Sequence, residues 1–405
     1  MKIKQHATID SVSTRIVQGM RSLLCIEYFY GIFRCRLRSR SSEAIDLRMK
    51  FISVAVASVW LTFFFSSVIP CLVEMFKDVD SAIEHMGWIV TAFQYAGTVI
   101  LLVFWQAQKN QKVIELFAKI DMSLHVGVNQ NFYKASLFQC KKLLLIYVFF
   151  CVTLIAAYIY YFTQNIIIGN VTYLIVYAER KIEIMVYCQF LFMIKQRLFL
   201  IRDYLSKIRF NRHNTMFVQN SEPNVDVNFI GHISTNNFRI RDLVSLYCKI
   251  GKLCNTINDV FNYLMLMTLS IAFFVILSNV WVSLYYSKFS QDILVSVPLL
   301  LSILTELFFV ILFAYNCGNI TIARNELKYS LYEITKNNDL PSSMRTQAEV
   351  FLDLIKVWPM SIYVFNMFEM NLKLVLKFIS IASTYVILVV QINHLFNSNK
   401  TTQLL

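Results

Sequence analysis

Charge is scarce in this sequence of 405 residues, where Asp, Glu, Lys and Arg together make up 16%, against about a quarter in soluble domains. That shortfall excludes an ordinary solvated surface. A hydrophobic content of 57% and a mean hydropathy of +0.54 exclude a disordered chain as well. Glycine, with nine residues, and proline, with five, are also few. Their scarcity argues against a repeat or loop-rich architecture and, with no internal repeat visible, against a transporter built from broken helices. None of the nine cysteines forms a Cys-x-x-Cys pair, and no His-Glu-x-x-His or Gly-x-x-x-x-Gly-Lys run occurs. Cys151 and Cys188 fall inside apolar runs and read as small buried hydrophobes. No catalytic residue, metal site or cofactor is expected, and no enzyme.

What the sequence does have is 34 Phe, 21 Tyr and long charge-free runs, the composition of lipid-facing helices with aromatic belts. The net charge of +13 is spread over several segments between these runs rather than gathered on one soluble domain, so it reads as membrane topology and not as a nucleic-acid footprint. The expected fold class is an all-α membrane protein with seven transmembrane helices.

The chain divides accordingly. Residues 1–50 form a basic cytoplasmic segment without a cleavable signal peptide; its apolar patch 23–33 is too short to span and fits an interfacial or re-entrant helix. Helices one to four occupy 51–208, with spans at 51–70, 86–107 and 143–163, each near the twenty or so residues that cross a bilayer. The fourth consists of two apolar runs split by Glu179-Arg180-Lys181-Ile182-Glu183; read as one helix over 165–208, it must project beyond the membrane. Residues 209–260 are a cytoplasmic loop, with 221–237 rich in Asn and Ser. Helices five (261–287) and six (293–317) follow, then an inner connection over 318–367 carrying an amphipathic stretch at 347–363. The closing helix takes 368–396, and 397–405 form an outer tail.

Orientation comes from the basic residues. Of the 38 Lys and Arg, 31 fall in the amino-terminal tail and the connections after helices two, four and six, while three fall in the other connections and the carboxy tail. The positive-inside bias predicts a cytoplasmic amino terminus and, after seven crossings, an extracellular carboxy terminus. That is inverted relative to a G-protein-coupled receptor, the more remote alternative, whose Asp-Arg-Tyr and Asn-Pro-x-x-Tyr signatures are also missing. On this topology the sequons at Asn170 and Asn399 lie outside, and the one at Asn319 lies inside and stays unmodified.

The closing run carries a signature: Thr384-Tyr385, five apolar residues, then Gln391-Ile392. It resembles the end of the seventh membrane helix of insect gustatory receptors, which close with Thr-Tyr, five apolar residues and Gln-Phe; Ile392 is the departure. Olfactory receptors look similar here. The resemblance implies a plasma-membrane, multi-pass, ligand-gated cation channel that works as a homotetramer or as a heteromer with related subunits. It also implies a tastant site in an outward-opening cavity within each subunit, inner helix ends that meet in a cytoplasmic anchor, and a constriction at Gln391-Ile392. Expected partners are a small-molecule tastant, the lipid bilayer and permeating cations, with no nucleic acid.

Candidate residues follow from depth and face. Thr384, Leu388, Gln391, Ile392 and Leu395 share one side of the closing helix, with Lys373, Lys377 and Ser380 continuing a polar edge below. For the ligand, the outer halves of helices two to six offer Trp88, Gln94, Tyr95, Tyr158, Tyr161, Tyr173, Tyr177, Asn279 and Trp281. Gln94, Tyr95 and Asn279 lie deeper than an interfacial belt. Glu306, a lone acid in helix six, requires a partner or a purpose at membrane depth, and Arg180 pairs either with it or with Glu183. An aromatic, weakly charged site suits bitter plant compounds better than a sugar, with a sugar-responsive receptor or an odorant receptor subunit as the alternatives.

Overall fold

A computed structural model describes the backbone of residues 2–35, 46–75, 79–124, 126, 130–161, 167–214, 238–289 and 293–402. Side chains are described over 9–35, 46–66, 86–124, 126, 131–156, 174–206, 240–284 and 299–391. The chain is almost wholly helical: α1 (Lys2–Phe29), α2 (Leu47–Met75), α3 (Val79–Leu101), a π-helical turn at Leu102–Gln106, α4 (Ala107–Ser123), α5 (Gln130–Tyr161), α6 (Ile167–Asn214), α7 (Phe238–Phe289), α8 (Ile293–Lys336), α9 (Ser342–Val357) and α10 (Leu372–Thr402). Two short strands, β1 (Tyr363–Val364) and β2 (Phe368–Glu369), sit between α9 and α10. Among the described residues seven helical stretches are long and apolar enough to cross a membrane.

These seven differ sharply in how much protein surrounds them. The α6 stretch Leu174–Ser206 is 72% buried, whereas Leu47–Ser66 of α2 is 17% and Leu372–Gln391 of α10 is 11% buried. The reason lies in the sequence: α6 carries charges at four of the five positions 179–183, and such a helix cannot face hydrocarbon on any side. It therefore forms the centre, packed by α8, α5, α2, α7, α1 and α3. The apolar α2 and α10 sit at the periphery.

Several elements run further than periodicity alone implies. The apolar patch at 23–33 is the end of a 28-residue helix, α1, whose Val12, Ile16, Met20, Leu23 and Leu24 are buried at helical spacing. It stops at Gly31, whose φ of +77° no other residue adopts freely. Ile32 N–H reaches back to Glu27 O at 3.0 Å, the longer bond of a Schellman cap. A Cβ at Gly31 would also meet Ser53 O at 3.0 Å. α6 is one continuous helix of 48 residues, about 72 Å long at 1.5 Å per residue. α7 begins at Phe238 and α8 continues to Lys336, so much of what reads as inner loop is helix. Polar residues there lower the apolar signal without interrupting the backbone ladder.

The stretch 347–363 is not one element. α9 ends at Val357 because Trp358 precedes Pro359 and takes an extended conformation, with ψ at 83°. The chain then forms a hairpin in which Tyr363 pairs with Glu369 and Val364 with Phe368. Its turn puts Phe365 and Asn366 at φ of 47° and 58°, and Asn262 Oδ1 of α7 accepts the Phe365 N–H at 3.1 Å. Phe368 thus belongs to a strand, and α10 starts after Asn371, whose Oδ1 accepts the Leu374 N–H at 3.1 Å as an N-cap does.

Candidate functional site

The five residues Glu179 to Glu183 sort their charges onto opposite faces of α6. Residues four apart share a helix face and neighbours turn by about 100°, so Glu179 and Glu183 point one way and Arg180 and Lys181 another. On one side Glu306 of α8 receives both cations: its Oε1 lies 2.5 Å from Arg180 Nη2 and 2.7 Å from Lys181 Nζ, and it also accepts from Tyr177 Oη. The Lys181 ammonium stands 4.5 Å from the Phe309 ring centroid and 4.8 Å from that of Tyr177, where ring quadrupoles favour a cation. Arg180 Nε and Nη1 and Glu306 Oε2 are buried without a protein partner.

On the opposite face Glu183 Oε1 accepts from Arg34 Nη2 at 2.6 Å, and Arg34 Nε reaches Glu27 Oε1 at 2.8 Å. The Schellman turn at the end of α1 makes this possible by folding Arg34 back over Glu27, with the guanidinium 4.5 Å from the Phe261 centroid. Burial pushes the Glu27 carboxyl up to about 7 against the pull of Arg34. Gln94 and Thr98 of α3, four residues apart on one face, complete the group. Gln94 Nε2 lies 3.2 Å from Thr98 Oγ1, 3.3 Å from Glu179 Oε2 and 3.4 Å from Glu183 Oε2.

Two expected ligand residues lie in or beside this group. Gln94 and Tyr95 do not line an open cavity; both are fully buried, Gln94 against the α6 carboxyls and Tyr95 donating its hydroxyl to Tyr30 O at 2.8 Å. α3 turns this face inward because the acids of α6 require donors. Arg180 takes Glu306 as its partner, not Glu183, and Glu306 is a fully buried member of an ion cluster. Tyr177 is buried beside it.

Trp88, Asn279 and Trp281 are half-buried, on facing parts of α3 and α7 that meet where Gly87 approaches Val275 and Ser278. Asn279 Nδ2 and Trp281 Nε1 are buried donors without a protein partner, which suits a site for an acceptor or water. The side chains of Tyr158, Tyr161, Tyr173, Asn170, Ile392, Leu395 and Asn399 lie outside the described residues. Asn319, the sequon expected to stay bare, is 9% exposed within α8 and accepts from Lys195 Nζ at 3.4 Å.

On α10 the described signature residues Thr384, Tyr385 and Gln391 are all exposed. Lys373, Lys377, Ser380, Thr384, Leu388 and Gln391 are exposed, while Val375 and Ala382 are buried and Phe378, Val386 and Val389 half-buried, a seam against α7 and α8. Tyr385 sets its ring edge-on to Phe273 of α7, with centroids 5.3 Å apart.

Sequence reading misses several participants. Arg34 stands in the basic tail and Arg197 at the start of an inner connection, yet both are buried. Arg197 forms a two-point pair with Asp121, Nε to Oδ1 at 2.9 Å and Nη2 to Oδ2 at 2.7 Å, and stacks on Phe117 and Phe132. Glu27 is the one visible clue, as the sole charge between Leu23 and Phe33.

The sequence profile of the 7tm chemosensory receptor family matches residues 21–394. The chain belongs to that family. This chemosensory receptor also shares its fold with the solved insect olfactory receptor OR5 from Machilis hrabei: the TM-score is 0.64 at 11% identity, over 93% of this chain and 97% of that one. Against OR5 in complex with eugenol the TM-score is 0.61 at 10% identity, over 94% and 99%. No curated protein matches by sequence. The receptor is thus a multi-pass membrane protein.

Proposed function

We propose that this receptor is a gustatory receptor, a tastant-gated, non-selective cation channel of the plasma membrane that opens on binding bitter plant compounds. The observation that carries the reading is α10. Its span is the least buried of the seven, at 11%, yet it exposes Lys373, Lys377, Ser380, Thr384 and Gln391 on one side. Polar groups on a helix otherwise bare of protein require water or other subunits beside them. Four copies meeting around an axis supply both, with Leu388 and Ile392 as the apolar constriction and Gln391 able to replace water around a passing ion. Thr384-Tyr385 and Gln391-Ile392 follow the gustatory closing pattern except at Ile392.

The ligand, in this reading, enters from outside between α3 and α7. Trp88 and Trp281 supply area there, and the unpartnered N–H groups of Asn279 and Trp281 supply direction. The second reading, an odorant receptor subunit, is favoured by the likeness to OR5, one form of which is in complex with eugenol. Recording currents from the full chain expressed alone, during a panel of plant alkaloids, sugars and volatile aromatics, tests both. Alkaloid-evoked cation current is expected; responses confined to sugars or to volatiles reassign the receptor, and silence points to an obligatory partner subunit.

A further inference from the structure

With every acid and base counted as ionised, the polar core around α6 is one positive charge short. It holds four carboxyls, Glu27, Glu179, Glu183 and Glu306, and three cations, Arg34, Arg180 and Lys181, none more than 3% exposed. The imbalance is local. Arg180 and Lys181 both serve Glu306 on one face. Arg34 is divided between Glu27 and Glu183 on the other, so Glu179 has a neutral amide at 3.3 Å and the Glu183 carboxyl beside it, but no cation of its own. That amide is itself overdrawn: the two hydrogens of Gln94 Nε2 face three acceptors at 3.2–3.4 Å. Independently of the charge count, Glu179 Oε1 and Gln94 Oε1 are buried with no partner, and both side chains are 0% exposed. Every unmet demand on this face is an oxygen wanting a donor or a cation, and an uncompensated buried carboxylate is among the costliest groups a protein can hold.

We propose that Glu179 and Glu183 of α6, with Gln94 and Thr98 of α3, bind one sodium ion. Two carboxylates, an amide oxygen and a hydroxyl form the hard, all-oxygen donor set that such a cation takes. The missing single charge selects a monovalent ion over calcium. Enclosure on all sides selects a small, dehydrated one over potassium or an organic amine. The pairs Gln94/Thr98 and Glu179/Glu183 are each four residues apart, so both helices present two donors on one face, and the ion links α3 to α6. This inference does not depend on the identity of the tastant.

Thermal unfolding of the full-length receptor in lipid nanodiscs, at constant ionic strength, tests it. Sodium chloride is titrated against N-methylglucamine chloride, with potassium and calcium chloride as parallel arms. The wild type is expected to gain a saturating rise in melting temperature, about 3 °C or more, in sodium alone. Glu179→Gln, which keeps the shape and removes the charge, is expected to melt at one temperature in all the salts. Thr98→Val is expected to raise the half-saturating sodium concentration by about tenfold, the value of one lost hydrogen-bond-strength contact. A wild type indifferent to sodium overturns the proposal, as does a stability that follows pH but no metal ion, which would make a proton the missing charge. An undiminished sodium response in both variants overturns the assignment to these four residues. Should Glu179→Gln fail to fold, the wild-type titration and Thr98→Val still decide.

Discussion

Replacing Glu306 by Gln and Lys181 by Met are both single changes in one buried cluster, but they are expected to differ severalfold in cost. Glu306 Oε1 is the shared acceptor of Arg180, Lys181 and Tyr177. Glu306→Gln preserves the shape and leaves two cations facing each other in a dry core. Breaking a buried ion pair from one side costs about 3–5 kcal/mol. Lys181→Met removes the second cation on that face instead, so that Glu306 and Arg180 match one to one. Its losses are a charge-assisted hydrogen bond and ring contacts with Phe309 and Tyr177, the latter worth about 0.5–2 kcal/mol, and these are offset by relief of repulsion from Arg180. A net cost of about 1 kcal/mol or less is expected. Against a total stability of about 5–15 kcal/mol, the first change lowers the melting temperature of detergent-purified receptor by roughly 5 °C or more, and the second by about 1–2 °C. Fluorescence-detected size exclusion after a heating series reads both. Equal losses, or a Glu306→Gln variant that melts like the wild type, would refute this account of the charges around α6.

Asp121→Asn is expected to cost about 3–5 kcal/mol by stranding Arg197, whereas Asp121→Leu combined with Arg197→Met is expected to be nearly neutral; a double-mutant cycle on melting temperature checks this. Gly97→Ala would set a methyl against the Tyr263 ring, 2.6 Å from Cζ, and break the bond from Tyr263 Oη to Phe93 O, costing about 1–3 kcal/mol. Tyr263→Phe is expected not to rescue it, because Cζ remains, and Gly97→Ala is expected to add little in a Tyr263→Ala background. In patch recordings, Leu388→Ser or Ile392→Ser is expected to raise ligand-free current, since a hydroxyl ring wets more readily, and Gln391→Ala to alter conductance or ion preference. Wild-type leak and selectivity in all three would remove α10 from the pore.

The spans are legible because a lipid-facing helix must be apolar throughout, which composition registers directly. α2 contains the whole of its expected run, and α3, α5 and α10 take up most of theirs. Helix ends are less legible. Nothing in 238–260 prevents a helix, but its polar residues mask one, and the hairpin before α10 depends on Pro359 and on side-chain support from Asn262 rather than on any strand-like alternation. The site is least legible where pairing reaches across the chain. Glu183 and Arg34 are 149 positions apart, and depth alone does not say that Gln94 faces the α6 acids and not a ligand. Arg197 looks like one more inner-loop charge because burial, unlike sequence position, is decided by the helix it packs against.

The charges at the centre of α6 also bear on how the receptor is made. On insertion scales a charged residue at mid-membrane costs about 2.5–3.5 kcal/mol, so the four in 179–183 together oppose entry by roughly 10–14 kcal/mol. α6 is therefore a poor candidate to leave the translocon into lipid by itself. Arg34 has already been synthesised and can meet Glu183 at once, but Glu306 emerges some 125 residues after Lys181. Until α8 arrives, Arg180 and Lys181 have no counterion on their own side. The nascent chain is expected to wait there, with α6 held beside the translocon or an attendant chaperone, and membrane integration of α6 and α8 becomes a single concerted event.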